Sequence, residues 1–240
     1  MNILLTNDDG IGSEGLLKLA DVLRSRLGHR VYVIAPDVDR SGVSHGISIL
    51  NGPVKLSARG EDTWRCSGLP ADCVIVAMLG GLEEKPDLVL SGINRGANLG
   101  TDLVYSGTAA AARQASIMGV PAIALSLNGS GVYHWDMAVS WSADHLEELA
   151  ALWEENTFLN VNIPNTPAGP EGMVITRPVI KHYNDKMSMV TSRGSTRWCF
   201  LEYGQEVNEP GEGTDHDAVS RNFVSISTVC NQPAVKKIRS

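Results

Sequence analysis

A short apolar run, an amphipathic stretch and a second apolar run open this chain, and that order constrains its fold more than any other feature. Residues 2–6 are apolar and end in a polar turn, the pattern of a buried strand. Between Gly15 and Gly28, Leu16, Leu19, Ala20, Leu23 and Leu27 recur at helical spacing, with Lys18, Asp21 and Arg24 among them and Gly28 placed as a C-cap. Residues 31–35 form the next strand. Strand, helix and strand in this order imply an α/β fold with a parallel, doubly wound sheet and right-handed crossovers. Downstream, the pattern predicts helices over 71–79 and 108–118, strands over 87–90, 122–125 and 158–163, and one long helix after Asp136. That helix carries Val139, Ala143, Leu146, Ala150 and Trp153 on one face.

Beyond Pro164 the texture changes. NTPAGPEG is a loop, 174–180 and 198–203 look like strands of a hairpin extension, and 223–229 is a last strand. We expect a single unit over 1–240, with a core of about 1–165 plus the last strand and an extension of about 166–222. The net charge of -7 disfavours a nucleic-acid polymer as partner, because a polyanion would be repelled. Small phosphate esters remain open, since one local cation overrides a weak global field. Cys66, Cys73, Cys199 and Cys230 form no CxxC pair and are expected to be free thiols. No basic segment followed by a long apolar stretch opens the chain, and no window is apolar enough to span a membrane. A cytoplasmic location is therefore expected.

In open parallel sheets ligands bind beyond the carboxyl ends of the strands. Four polar clusters fall there. Asn7-Asp8-Asp9-Gly10 follows the first strand, and its two adjacent carboxylates suit a hard cation such as Mg²⁺ or Mn²⁺ if the turn at Gly10 aims both at one point. Read plainly, it is an Asx turn. The loop 37–45, DVDRSGVSH, offers the Ser41 hydroxyl. The loop 91–100, SGINRGANLG, is too rich in glycine and asparagine for a bland connection and offers Asn94 and Asn98. Ser106-Gly107-Thr108 opens an alanine-rich helix whose free N–H groups suit a phosphate, although a simple helix cap would look the same.

Gly10, Gly12 and Gly15 also spell GxGxxG between a strand and a helix, with Asp37 following 22 residues beyond Gly15. A dinucleotide-binding oxidoreductase is thus the competing reading. Asp8 and Asp9 count against it, because they stand where a pyrophosphate would have to approach. Two aspartates in direct succession are out of register for an aspartyl-phosphate enzyme, and no GxxxxGK[ST] P-loop occurs.

NDDGI, APDVDRSGVSHGIS, GLPADCV, PDLVLSGINRGANLGTDLVYSGTAAAA, GVPAIALS, NVNIP and TDHDAV follow one another along nearly the whole chain. In these motifs and their order the chain resembles the SurE family, the stationary-phase survival nucleotidases. The resemblance implies a Rossmann-like core with a C-terminal β-rich extension exchanged between the subunits of a homodimer, sometimes within a tetramer. It implies hydrolysis of nucleoside 5'-monophosphates, and in some members of 3'-monophosphates and short polyphosphate, with one divalent cation per subunit. The metal ligands fall on Asp8, Asp9, Ser41 and Asn94, and the phosphate contacts on Asn98, Ser106, Gly107 and Thr108. Asp8 and Asp9 are the expected catalytic pair, and His45 and His216 are conceivable proton donors to the leaving group. Leu69, Arg113-Gln114 and the ending SISTVCN depart from the commoner family pattern.

Overall fold

The computed structural model describes residues 1–191, 196–208 and 211–233. Nine strands form one sheet. Its centre is β1 (Asn2–Thr6), flanked on one side by β2 (Arg30–Pro36) and on the other by β5 (Leu88–Arg95). Beyond β2 lie β4 (Thr63–Cys66) and the edge strand β3 (Leu56–Gly60). Beyond β5 lie β6 (Ala122–Asn128) and β7 (Thr157–Pro164), then β13 (Phe223–Cys230) and β8 (Gly172–Ile175). From β4 across to β7 every pairing is parallel, whereas β3 and β13 run antiparallel to their inner neighbours. The chain leaves β1 toward β2 and later returns to the far side of β1 as β5. A topological switch point therefore opens at the carboxyl ends of β1 and β5.

Side chains of alternate residues divide between the two faces, as the pleat requires. Ile3 and Leu5 pack with Leu16, Leu19 and Leu23 of α1 (Glu14–Ser25), and with Ala138 and Val139 of α4 (Trp135–Asp144) and Leu146 and Leu149 of α5 (Leu146–Ala151). Leu4, between them in sequence, faces the other layer. There it joins Cys73 and Val74 of α2 (Pro70–Val76) and Ala109, Ala111, Ala112 and Ala115 of α3 (Gly107–Ile117). Burying one leucine contributes about 1.5–3 kcal/mol, so these two layers hold the sheet between them. The alanines leave α3 without bulk, so its N-terminus can approach the strand ends closely.

Three expectations need correction. The single helix after Asp136 is two helices, broken at His145, whose backbone is non-helical at ψ 9. The His145 ring stacks on Trp141 and its Nδ1 lies 2.9 Å from the Trp141 carbonyl, a local bond that competes with helix continuation. The strand expected over 174–180 ends at Ile175, just before Arg177-Pro178, and it joins the central sheet through β13 rather than pairing with 198–203. The partner of β11 (Arg197–Glu202) is β10 (Lys186–Thr191), and β9 (Lys181–Tyr183) pairs with β12 (Glu206–Asn208). These four strands make an arm off the sheet. Its hairpin exposes Met187, Met189, Val190, Trp198, Phe200 and Leu201. Helix α6 (Asp215–Ser220) then returns the chain to β13.

Candidate active site

The turn after β1 is built by Asn7. Its buried side chain donates to the Gly10 carbonyl at 3.0 Å and to Ser13 Oγ at 2.6 Å, and its Oδ1 accepts from the Gly10 N–H at 3.2 Å. Gly10 stands at φ +94, a conformation that L side chains rarely adopt, and a Cβ there would lie 3.1 Å from the Val38 carbonyl carbon. Asp8 and Asp9 are presented between these clamps.

Asp8 is buried against the start of α3. The Thr108 hydroxyl donates to its Oδ1 at 2.5 Å, and the N–H groups of Thr108 and Gly107 also favour its charged form. Burial outweighs them and pushes the Asp8 carboxyl above the ordinary carboxylate range. Helix and strand meet so closely here that a Cβ on Gly107 would lie 2.7 Å from the Asp8 Cβ. Asp9 accepts from the Arg95 N–H at 3.0 Å. Its pKa is pushed up to about 6, mainly by burial and further by the charges of Asp8 and Asp39, against the Arg95 bond. Two anions thus share one partly dehydrated corner, and neither is paired with a cationic side chain by any bond among the described residues.

The neighbouring loops are sewn onto this turn by their backbones. The Arg40 N–H donates to the Asp8 carbonyl at 2.7 Å, which brings Ser41 alongside. The Ser41 hydroxyl donates to Asp39 Oδ1 at 2.6 Å and keeps its lone pairs. The Arg95 bond to Asp9 does the same for Asn94, whose Nδ2 donates to the Gly96 carbonyl at 3.0 Å and leaves Oδ1 as an acceptor. A register shift between β5 and β6 separates Ser91 from Asn94 and re-aims the end of β5. The loops that carry Ser41 and Asn94 are therefore tied to the turn that carries Asp8 and Asp9. All four offer oxygen, the donor chemistry of Mg²⁺ or Mn²⁺. Among the described residues no cluster of three or more His, Cys, Asp or Glu exists, so a cation here would rely on neutral oxygens for the rest of its shell.

The expected phosphate contacts divide. Ser106 caps α3, its Oγ accepting from the Ala109 N–H at 3.0 Å and retaining a proton to donate. Gly107 and Thr108 serve Asp8 as described. Asn98 is buried and knits the loop to the sheet. Its Nδ2 donates to Ser126 Oγ at 2.8 Å, its N–H to Asn162 Oδ1 at 2.8 Å, and its carbonyl accepts from Asn160 and Asn162. The support from Ser126, Asn160 and Asn162 was not foreseen, although the alternation in NVNIP hinted that both asparagines share one face of β7. His45 Nε2 is 2.9 Å from Gln114 Oε1, well along α3. His216 sits on α6 beside Asp215, whose carboxylate accepts from the Gly100, Val179 and His216 N–H groups.

Two of the three fingerprint glycines, Gly10 and Gly15, are accounted for without a dinucleotide. A Cβ on Gly15 would stand 2.4 Å from the Ile93 carbonyl and 2.7 Å from the Trp135 ring, so Gly15 lets α1 pack, while Gly10 makes the turn. Asp37 pairs with Arg40 at 3.3 Å.

Beside Asp9 opens a cleft of about 460 Å³ lined by Ser13, Glu14, Asp39, Arg95, Tyr133 and Trp135. Neither Tyr133 nor Trp135 was singled out from the sequence, because aromatic residues ahead of a helix carry no periodic signal.

A profile of the family described as Survival protein SurE matches residues 3–185. The chain is 40% identical to the 5'-nucleotidase SurE of Cyanothece sp., over 95% of this chain and 89% of that one. It is 41% identical to the 5'-nucleotidase SurE of Halorhodospira halophila, over 95% of this chain and 91% of that one. The crystal structure of the SurE protein from Aquifex aeolicus superposes with a TM-score of 0.84 at 34% identity, covering 98% of this chain and 95% of that one. With a family profile over most of its length and relatives about 40% identical across 95% of it, the chain belongs to the SurE family.

Proposed function

We propose that this protein is a divalent-metal-dependent phosphatase that hydrolyses nucleoside 5'-monophosphates to nucleoside and inorganic phosphate. Related 3'-monophosphates and short polyphosphate are accessible to the same chemistry. One observation carries the reading: two adjacent carboxylates stand at the switch point, Asp8 buried against a helix N-terminus and Asp9 half-buried beside an open cleft. Burying two anions is costly unless a cation joins them. The names of the relatives point the same way.

Asp8 and Asp9 anchor the cation, and Ser41 and Asn94 supply neutral oxygens. A bound Mg²⁺ or Mn²⁺ provides Lewis acidity toward a phosphoryl oxygen. The N-terminus of α3, with Ser106, Gly107 and Thr108, receives the phosphoryl group, and Asn98 holds the loop that faces it. Water oxygen bonds to phosphorus as the ester P–O bond breaks, and the leaving alkoxide takes a proton to become the nucleoside hydroxyl. A carboxylate oxygen of the pair would accept the water proton.

The apolar arm supports a second part of the proposal. Both faces of its hairpin leave large apolar side chains to water, Met187, Met189 and Leu201 on one and Val190, Trp198 and Phe200 on the other, which is more than a monomer usually exposes, so β9–β12 are exchanged between subunits of a homodimer, or of a tetramer built from it. The decisive assay is a panel of nucleotides with Mn²⁺, with and without chelator. Phosphate release that chelator abolishes is the expected result. Turnover indifferent to chelator, or tight binding of NAD without turnover, would overturn the proposal.

A further inference from the structure

The cleft beside Asp9 has a wall that the phosphoryl chemistry does not use. Tyr133 and Trp135 stack with ring centroids 5.3 Å apart and 17° between planes, and the exposed Arg95 guanidinium lies 5.1 Å from the centre of the Tyr133 ring. Guanidinium and rings lie in layers about Tyr133 and form one π-rich stack. It begins at the residue whose N–H holds Asp9, so the surface starts where the ester would be held.

The wall is fixed in place before any ligand arrives. The Tyr133 hydroxyl donates to the Gly129 carbonyl at 2.7 Å. Asn165, just after β7, accepts from the His134 N–H and donates to the Val132 carbonyl, each at 2.8 Å. The Trp135 ring rests against Gly15 of α1. A loop pinned at both ends around an aromatic pair loses little freedom when a flat ligand stacks on it. The cleft is also lined by Glu14 and Asp39, acceptors suited to hydroxyl groups rather than to a second phosphate.

On the reading that Asp8 and Asp9 mark the phosphoryl end, we infer that the Arg95–Tyr133 wall is the base subsite: it stacks the nucleobase of a nucleoside monophosphate whose ester lies at Asp9. A cleft of about 460 Å³ accommodates one nucleotide. Stacking is sequence-tolerant, because every base has a π-face, so the wall favours nucleotides over base-free phosphate esters and accepts purines and pyrimidines alike.

The test uses the full chain with Mn²⁺ and compares AMP and UMP with ribose 5-phosphate, which lacks a base. Tyr133→Ala is expected to raise KM for both nucleotides about 10- to 100-fold, leave kcat within about twofold, and leave kcat/KM on ribose 5-phosphate unchanged. Tyr133→Phe, which keeps the ring and loses only the bond to Gly129, stays within about twofold of the unsubstituted protein on all three. A Tyr133→Ala variant that handles the nucleotides normally, or that loses nucleotides and ribose 5-phosphate in equal proportion, overturns the base subsite alone. Turnover of none of the three by the unsubstituted protein overturns the hydrolase reading and this inference with it.

Discussion

Single residues divide cleanly into those that carry charge at the site and those that make room for it. Asp9 is of the first kind. Asp9→Asn keeps shape and removes the anion, and activity with Mn²⁺ should fall about 100-fold or more, since even residues behind a metal's ligands are worth about 10- to 100-fold. Because the native state holds this carboxylate against its own preference for water, the metal-free variant should melt no lower than the parent protein; a large drop in Tm would instead assign Asp9 a structural role. Gly107 is of the second kind. A methyl group there meets Asp8, so Gly107→Ala should cut kcat about 10- to 100-fold by displacing the carboxylate, although alanine is the better helix former. Gly12 provides the contrast. Nothing lies within 4 Å of its hypothetical Cβ, so Gly12→Ala should leave kinetics unchanged and stability equal or slightly higher. Loss of activity in Gly12→Ala would mean that a ligand approaches the backbone there, as the dinucleotide reading requires.

At the scale of elements, α2 owes its placement to Asp72. Burial pushes this carboxyl up, but the Ser48 hydroxyl and the N–H groups of Leu69, Ile49 and Ser48 together outweigh burial and leave it below the ordinary range. The loop around Ile49 is thereby fastened to the start of α2. A carboxyl whose pKa is lowered by folding stabilises above its unfolded value near 3.8, and that contribution is lost as pH falls through the folded value. Asp72→Asn should therefore cost about 2 kcal/mol at pH 7, seen as a fall in Tm of about 4–8 °C, and the gap between variant and parent should narrow below pH 4. A gap that does not change between pH 7 and pH 3 would show that shape, not charge, holds the loop. Helix α3 shows the same economy: its alanines bring its N-terminus onto Asp8, so one element serves both the core and the chemistry.

For the whole molecule, the feature without an internal explanation is the arm. The sheet buries its own apolar residues on both faces, whereas the β10–β11 hairpin leaves Trp198, Phe200 and Met189 about half exposed or more. An isolated two-stranded hairpin is marginal in water, so its order argues for a partner surface. Light scattering after size exclusion should report a dimer or tetramer, and Trp198→Glu combined with Phe200→Glu should shift it toward monomer while the central sheet keeps its circular dichroism. A protein that is monomeric at working concentration would remove subunit exchange from the proposal.

Local pattern alone determined the opening β–α–β unit, most of the parallel core and the strand-end clusters, because apolar periodicity and glycine-rich turns are short-range signals. Asp8, Asp9, Ser41 and Asn94 were legible as candidates for that reason, each sitting just past or at the end of a strand. The fastening of their loops to one turn was not legible, because it depends on bonds between segments far apart in sequence, such as Arg40 to Asp8 and Arg95 to Asp9. The same holds for the division of labour at α3, where Thr108 proves to hold Asp8, and for Asn98, which Asn160 and Asn162 anchor from across the sheet. The break at His145, the membership of β8 in the central sheet and the Tyr133–Trp135 wall came only from tertiary packing. A one-dimensional pattern records which residues prefer burial, whereas the register between distant segments sets which of them meet.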